Sequence, residues 1–528
     1  MALISYADSA LSILPPLVAI SLAIVTRKVL LSLGVGILIG IMMLTGFSLS
    51  GTVSEVMTRV TGLVWDGESL QYWNLNTIGF LLSMGILMAL ISVSGGTRAL
   101  AQWARGRIKS ARDAKLMTIM LGLVIFIDDY FNALLVGNVS RPVTDHHRVS
   151  REKLAYCIDT TSAPVCVVSP ISTWGAYIMS LLAGILVTYE VTGESALSAF
   201  VTMIPFNYYA LVAFSLLICV AVMRLDFGPM ATAEERAQRG DLWDAGKGVP
   251  PGEEVGLPEA KGGHFLNFAA PVVLLVLLVT SLMLYSGAAA LTESGTAFTL
   301  IGALENADGS WAMVTSGVIT TALTAVVMLG QGVVPSLLGK AFIKGVQSML
   351  PAVYILLMAW TIAGVISDIE TGKYLAGLAD GVLSPAFVPV IVFLLAAAAA
   401  FSTGTSYGTF AIMLPIAANM AISLEPAILM PSMAAVLAGG VFGDHCSPIS
   451  DTTILSSTGS GCHHIDHVAT QLPYALLAAL ISACSYIMLG LTESLWLGLA
   501  TAALGLVIAV FVLRAVSRSA DQESAATS

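Results

Sequence analysis

The amino-acid sequence predicts an all-α polytopic membrane protein, with about 11 transmembrane helices plus two re-entrant hairpins in an inverted repeat. Three observations lead there. The chain of 528 residues is 57% hydrophobic, with mean hydropathy +0.88, and only 11% of it is charged. A soluble chain carries about a quarter charged residues. Apolar stretches of about 20 residues, enough to cross a hydrocarbon core about 30 Å thick, recur from end to end. The basic residues also sort to one side of the resulting map.

Residues 1–28 supply the first transmembrane helix, over 9–26. Its start, MALISYADSA, lacks a basic region, and its apolar part continues to Val25, so it does not read as a cleaved signal. An N-terminal transmembrane repeat spans 29–223, with spans at 29–48 and 77–95, an inner hairpin at 116–139, a broken span at 154–187 and a span at 203–223. Segment 224–264 is rich in Gly, Pro and acidic residues, among them Asp226, Glu234, Asp244 and Glu254. It reads as a flexible, solvated cytoplasmic linker. A C-terminal repeat spans 265–490. An extra helix at 266–285 precedes its spans at 311–331 and 349–368, outer hairpin at 386–422, broken span at 427–461 and span at 468–490. Residues 491–528 form the last helix and a cytoplasmic tail.

The hairpins follow from charge. The basic loop RALAQWARGRIKSARDAK ends at Lys115 and RPVTDHHRVSREK starts at Arg141. Short basic loops stay in the cytoplasm, and a single crossing would split these two, whereas a hairpin keeps both inside. Segment 386–422 is too long for one span and carries FSTGTSYGT at its middle. On this map all 23 lysines and arginines except Arg59 and Lys373 face the cytoplasm. The N-terminus then lies outside and the C-terminus inside, in the plasma (bacterial inner) membrane. The second half repeats the order of the first with opposite orientation, a pattern of secondary transporters. The tetrapeptide SPIS falls in both broken spans, at 169–172 and 447–450.

Four stretches break the apolar pattern: IDDYFN (127–132), DTTSAPVCVVSPIST (159–173), FSTGTSYGT (401–409) and GDHCSPISDTT (443–453). Asp128 lies about 18 Å past Leu116 at 1.5 Å per residue, near the bilayer midplane. Each buried acid costs about 2.5–3.5 kcal/mol, so Asp128, Asp129, Asp444 and Asp451 cost roughly 10 kcal/mol unless partnered. No lysine or arginine shares these segments, which points to a bound cation or to protons. Pro170, Pro448, Gly404 and Gly408 loosen the helices, and freed carbonyls plus hydroxyls suit a hard cation such as sodium. The candidate ion- and proton-binding set is Asp128, Asp129, Asn132, Ser169, Ser172, Ser402, Thr403, Thr405, Ser406, Asp444, His445, Ser447, Ser450, Asp451 and Thr452, with sodium on a subset. Asp159, closer to the cytoplasmic end, is expected to face water. HHIDH (463–467) has the i, i+4 histidine spacing of a metal site but reads better as a polar cap at the interface, with a pH-sensing role as the alternative. Tryptophans, tyrosines and methionines in the spans read as packing and interface anchors. The six cysteines lack zinc-type spacing and read as small apolar side chains.

The segments FIDDYFNALLVG, DTTSAPVCVVSPISTWGAYI, STGTSYGTFAIMLPIA and above all GDHCSPISDTTILSSTGSGCHHIDHVATQLPYA resemble the NhaC family of sodium/proton antiporters, within the ion transporter superfamily. The resemblance covers about residues 29–490 and implies exchange of sodium for protons. Relatives with similar motifs exchange organic anions such as malate and lactate, or carry amino acids, so a sodium- or proton-coupled carrier of a small organic solute is the alternative. The absence of GxxxxGK[ST] argues against an ATP-driven pump. Asp444 follows VFG rather than the GxG of membrane aspartyl proteases, and HExxH is absent, so no enzyme is expected. No cofactor is expected beyond the transported sodium and protons. The expected partners are the lipid bilayer and these ions, with an organic solute and a second copy of the chain as further candidates, and no nucleic acid.

Overall fold

Long apolar runs punctuated by Gly, Pro and Ser/Thr caps fold as helices, and the computed structural model shows a helical chain. It describes residues 3–527 apart from 27, 66, 106, 127, 171, 190–194, 253–262 and 378–383. Among the described residues the only β pairing is one isolated bridge, Trp65 with Leu70. Among the described residues nine helices are long and apolar enough to cross a membrane, or ten if Ala196–Phe206 and Tyr208–Met223, bent by 52°, form one span. The expected spans 9–26 and 29–48 are shorter helices, Leu14–Thr26 and Val29–Leu44. At 1.5 Å per residue the 16-residue Val29–Leu44 is about 24 Å long.

Each expected hairpin is a pair of helices around a break. The first pairs Ala111–Val124 with Asp129–His146, and Asp128 caps the second arm by accepting the Phe131 N–H at 3.0 Å. The second pairs Val388–Thr403 with Ser406–Leu424. Its arms are each long and apolar enough to be spans, while those of the first pair are not. The expected broken spans are broken. Arg151–Thr161 and Ala163–Cys166 lead through a turn to Thr173–Thr188, and Leu429–Cys446 leads through Ser447–Ser450 to Asp451–Ser460.

Two glycines let these pieces meet. Gly404 takes φ +69° in the turn between its two arms, and a Cβ there would sit 2.6 Å from the Ile449 carbonyl oxygen. The turn therefore rests directly on the Ser447–Ser450 break. A Cβ on Gly137 would lie 2.5 Å from the Gly459 carbonyl carbon, so Asp129–His146 and Asp451–Ser460 cross backbone to backbone.

The linker departs from the flexible, solvated segment expected from its composition. Residues 253–262 lie outside the described part, but 224–252 pack onto the helix ends. Helix Pro229–Gln238 buries Met230, Ala233 and Ala237. Lys153, fully buried, pairs with Asp226 at 2.5 Å, and Arg236 pairs with the buried Glu152 at 2.5 Å. The Ser150 hydroxyl donates to Glu234 at 2.7 Å, and burial pushes the Glu234 carboxyl above its ordinary range. Lys247 reaches Asp466, inside HHIDH, at 2.6 Å and Asp244 at 3.1 Å. That ammonium holds the Asp244 carboxyl below its ordinary range. Acidic composition signals solvation only when the acids have no bases opposite them. Here Lys153 of the RPVTDHHRVSREK segment faces Asp226, and Lys247 of the linker itself faces Asp244.

Candidate ion-binding site

The breaks converge on one cavity of about 630 Å³. Asp128, Asp129, Asp444 and Asp451 line it, together with Tyr130, Trp174, Trp360, Tyr407, Thr405 and Ser406. Arg59 and Glu55 of helix Leu49–Gly62 line it as well. Asp128, Asp129 and Asp444 are at most 5% exposed, and Asp129 lies within electrostatic reach of the other three.

Uncharged donors hold Asp128, Asp444 and Asp451. Asp444 Oδ1 accepts the Ser450 hydroxyl at 2.5 Å and its Oδ2 accepts the Ser406 hydroxyl at 2.7 Å. Asp451 accepts its neighbour's Thr452 N–H at 2.8 Å and bonds to the Tyr130 hydroxyl, with Trp360 beside it in the cavity wall. Asp128 accepts the Thr173 hydroxyl at 3.0 Å, and Asp129 shares the cavity wall with Trp174. Each acid starts a helix or closes one at a break. Asp129 and Asp451 occupy the first turns of their helices, where backbone N–H groups favour negative charge. Arg59 is already paired with Glu55 at 2.8 Å and with Asp368. Among the described residues no ion pair joins a cation to any of the four floor carboxylates.

Of the candidate set, Asp128, Asp129, Thr405, Ser406, Asp444, Asp451 and Thr452 line the cavity. Ser450 supports it through Asp444. The others, His445 excepted, turn to backbone carbonyls. Ser402 and Thr403 donate to the Ala399 carbonyl at 2.9 and 2.8 Å. Ser447 donates to Phe401 at 2.7 Å, Ser169 to Val165 at 2.8 Å, and Ser172 to Cys166 at 2.8 Å. Asn132 staples the first break by donating to the Gly122 and Ile125 carbonyls at 2.8 and 2.6 Å. The His445 ring bonds to Thr160 and Tyr209, at 3.1 and 2.8 Å, and is not a lining group.

Two expectations are overturned by burial. Asp159 does not face water: it is 0% exposed, bonded to Ser456, His467 and Gln471. HHIDH is not an interfacial cap either, because His464 and His467 are buried and bonded inside the helix bundle. Among the described residues no group of three or more His, Cys, Asp or Glu side chains is arranged to hold a metal ion. The aromatic lining was missed. Tyr130, Trp174 and Tyr407 each sit inside or beside a polar break, and that adjacency was the available signal.

Residues 165–491 match the Na+/H+ antiporter family. The chain belongs to this family. It is 44% identical over 518 residues to a Haemophilus influenzae protein described as uncharacterized, covering 97% of both chains. It is 36% identical over 109 residues to an uncharacterized Na(+)/H(+) antiporter of Haemophilus influenzae, covering 21% of this chain and 23% of that one. It is also 36% identical over 151 residues to the arginine/ornithine antiporter ArcD of Halobacterium salinarum, covering 28% and 29%. The family match takes in Thr405, Ser406, Asp444 and Asp451, whereas Asp128 and Asp129 reach the cavity of this antiporter-family chain from residues before it. The family consists of transporters, which points away from enzymatic catalysis.

Proposed function

We propose that this protein is a sodium/proton antiporter in which sodium and protons compete for the cavity carboxylates. One observation carries the reading: four carboxylates line one cavity, and those of Asp128, Asp444 and Asp451 are held by neutral hydroxyl and backbone amide donors. Such a cluster needs a cation or protons to neutralise it in a membrane. Sodium takes the charge together with hydroxyl and carbonyl oxygens, and protonation of the same carboxylates releases it. The element order of the two halves and the turn on Ile449 support an inverted repeat with re-entrant hairpins, rocking around a fixed site by alternating access. On that reading Arg59 lies at the outer mouth and the docked linker closes the cytoplasmic side.

A second reading has support of its own. A cavity of about 630 Å³ with Trp73, Trp174, Trp360 and Tyr407 on its walls falls in the size range of small-molecule sites, about 300–1,000 Å³. Acidic groups between aromatic faces suit an organic cation, in keeping with the name of the ArcD relative. Purified protein in liposomes with an internal pH dye separates the two. Proton movement on adding sodium alone supports antiport, and movement only when an amine or amino acid is also present supports the organic carrier.

A further inference from the structure

The linker segment GVPPG (248–252) leaves the surface and enters the helix bundle. Val249 is exposed, whereas Pro250 and Gly252 are buried. The backbone of Gly252 is held on three sides. Its N–H donates to the Ser348 carbonyl at 3.1 Å, and its own carbonyl accepts from Arg141 Nη1 at 2.5 Å. Its φ is +78°, and a Cβ there would sit 2.1 Å from the Thr458 carbonyl oxygen. A left-handed residue pressed against another backbone in this way has room only for glycine.

The three helices that meet at Gly252 all reach the cavity. Arg141 lies on helix Asp129–His146, Thr458 on helix Asp451–Ser460 and Ser348 on helix Pro335–Ile369. These helices bring Asp129, Asp451 and Trp360 to the cavity wall. The first two begin at their cavity acids and cross at Gly137 and Gly459. Each crossing point is about 12 Å along its helix from the acid, at 1.5 Å per residue. Thr458 adjoins the crossing, and Arg141 lies about one turn beyond it. The linker strap therefore sits on the crossing from the side away from the acids. There it ties one helix of the first half to two of the second.

We propose that residues 248–252 are a latch. With Gly252 docked, the helix crossing is held shut and the cavity is closed on the linker side. Gly252 must undock before the cavity can open there. The inference rests on the alternating-access reading above. The hold suits a latch better than a permanent joint. Gly252 contributes two hydrogen bonds, both through its backbone, and undocking hands the same groups to water. Bonds of ordinary strength bias an equilibrium by roughly five- to a hundredfold. A bound cargo with different affinities for the two states can reverse a bias of that size. The Lys247–Asp466 pair, at 2.6 Å, keeps the strap close by when Gly252 lets go.

The test reads which side of the cavity is open. Thr405→Cys in the full chain places a thiol on the cavity wall. A membrane-impermeant maleimide is added to right-side-out or inside-out vesicles, and its reaction at residue 405 is followed by mass spectrometry. Adding Gly252→Val drives a side chain into the Thr458 carbonyl. Linker-side labelling should speed up by about fivefold or more, and labelling from the opposite side should slow. Adding Lys247→Ala instead removes a surface anchor, and it should shift labelling the same way by about twofold. Linker-side labelling at the parent rate in both variants overturns the proposal. If Gly252→Val gives no cooperative thermal melt, Lys247→Ala decides alone, and the parent rate there overturns it. Sodium-for-sodium exchange is measured on wild-type vesicles in parallel. Its absence defeats the antiport reading, whereas the labelling still decides the latch.

Discussion

Asp444→Asn should abolish sodium exchange without weakening the fold. Asp444 accepts one hydroxyl on each oxygen, from Ser450 and Ser406. An asparagine of the same shape keeps one acceptor, and the other hydroxyl can turn to accept from the amide, so no buried polar group is stranded. What disappears is one of the negative charges on the cavity floor. Removing one partner of a buried charge pair costs about 3–5 kcal/mol, and every 1.4 kcal/mol is about tenfold in affinity. Apparent sodium affinity should therefore fall by about a hundredfold or more. The fold gains instead, because a buried acid costs about 2.5–3.5 kcal/mol in a membrane. The variant's melting temperature in detergent should equal or exceed that of the wild type. Sodium uptake and a thermal melt on one preparation check both halves. Exchange at the wild-type rate, or a large drop in melting temperature, would refute the assignment of Asp444 to the ion.

Gly404→Val should destabilise the protein by roughly 2–5 kcal/mol, summing left-handed strain and overpacking. Its φ of +69° and the Ile449 carbonyl 2.6 Å from a Cβ leave no room, and an unchanged thermal melt would count against the packed turn. Lys247→Ala should loosen the linker, read as faster proteolysis around residues 244–252. The Lys247 contact holds the Asp244 carboxyl below its ordinary range. Its stabilisation is thus present above the unfolded pKa of about 3.9 and lost as pH falls through the folded value, so wild-type cleavage should rise only in acid below about pH 4.

Much of the helical layout was legible because apolar runs and their breakers are local properties of the sequence. The four acids stood out for the same reason: a charge in an apolar run is conspicuous wherever it points. Direction is not local. Ser402, Thr403, Ser447, Ser169 and Ser172 have the same composition signal as Ser406, yet only Ser406 turns to a carboxylate. Asp159 looked wet from its place near a basic loop, but helix Pro229–Gln238 docks over that loop and the bundle encloses the acid. The aromatics of the cavity were hidden by the many tyrosines and tryptophans that anchor any membrane protein.

The most direct test of competition for one set of carboxylates is the apparent sodium affinity of the wild-type protein in proteoliposomes across a pH series. If protons and sodium share the site, apparent KM for sodium should rise up to about tenfold per pH unit on the acid side, with the maximal rate preserved by saturating sodium. A sodium KM that does not change with pH would contradict the account.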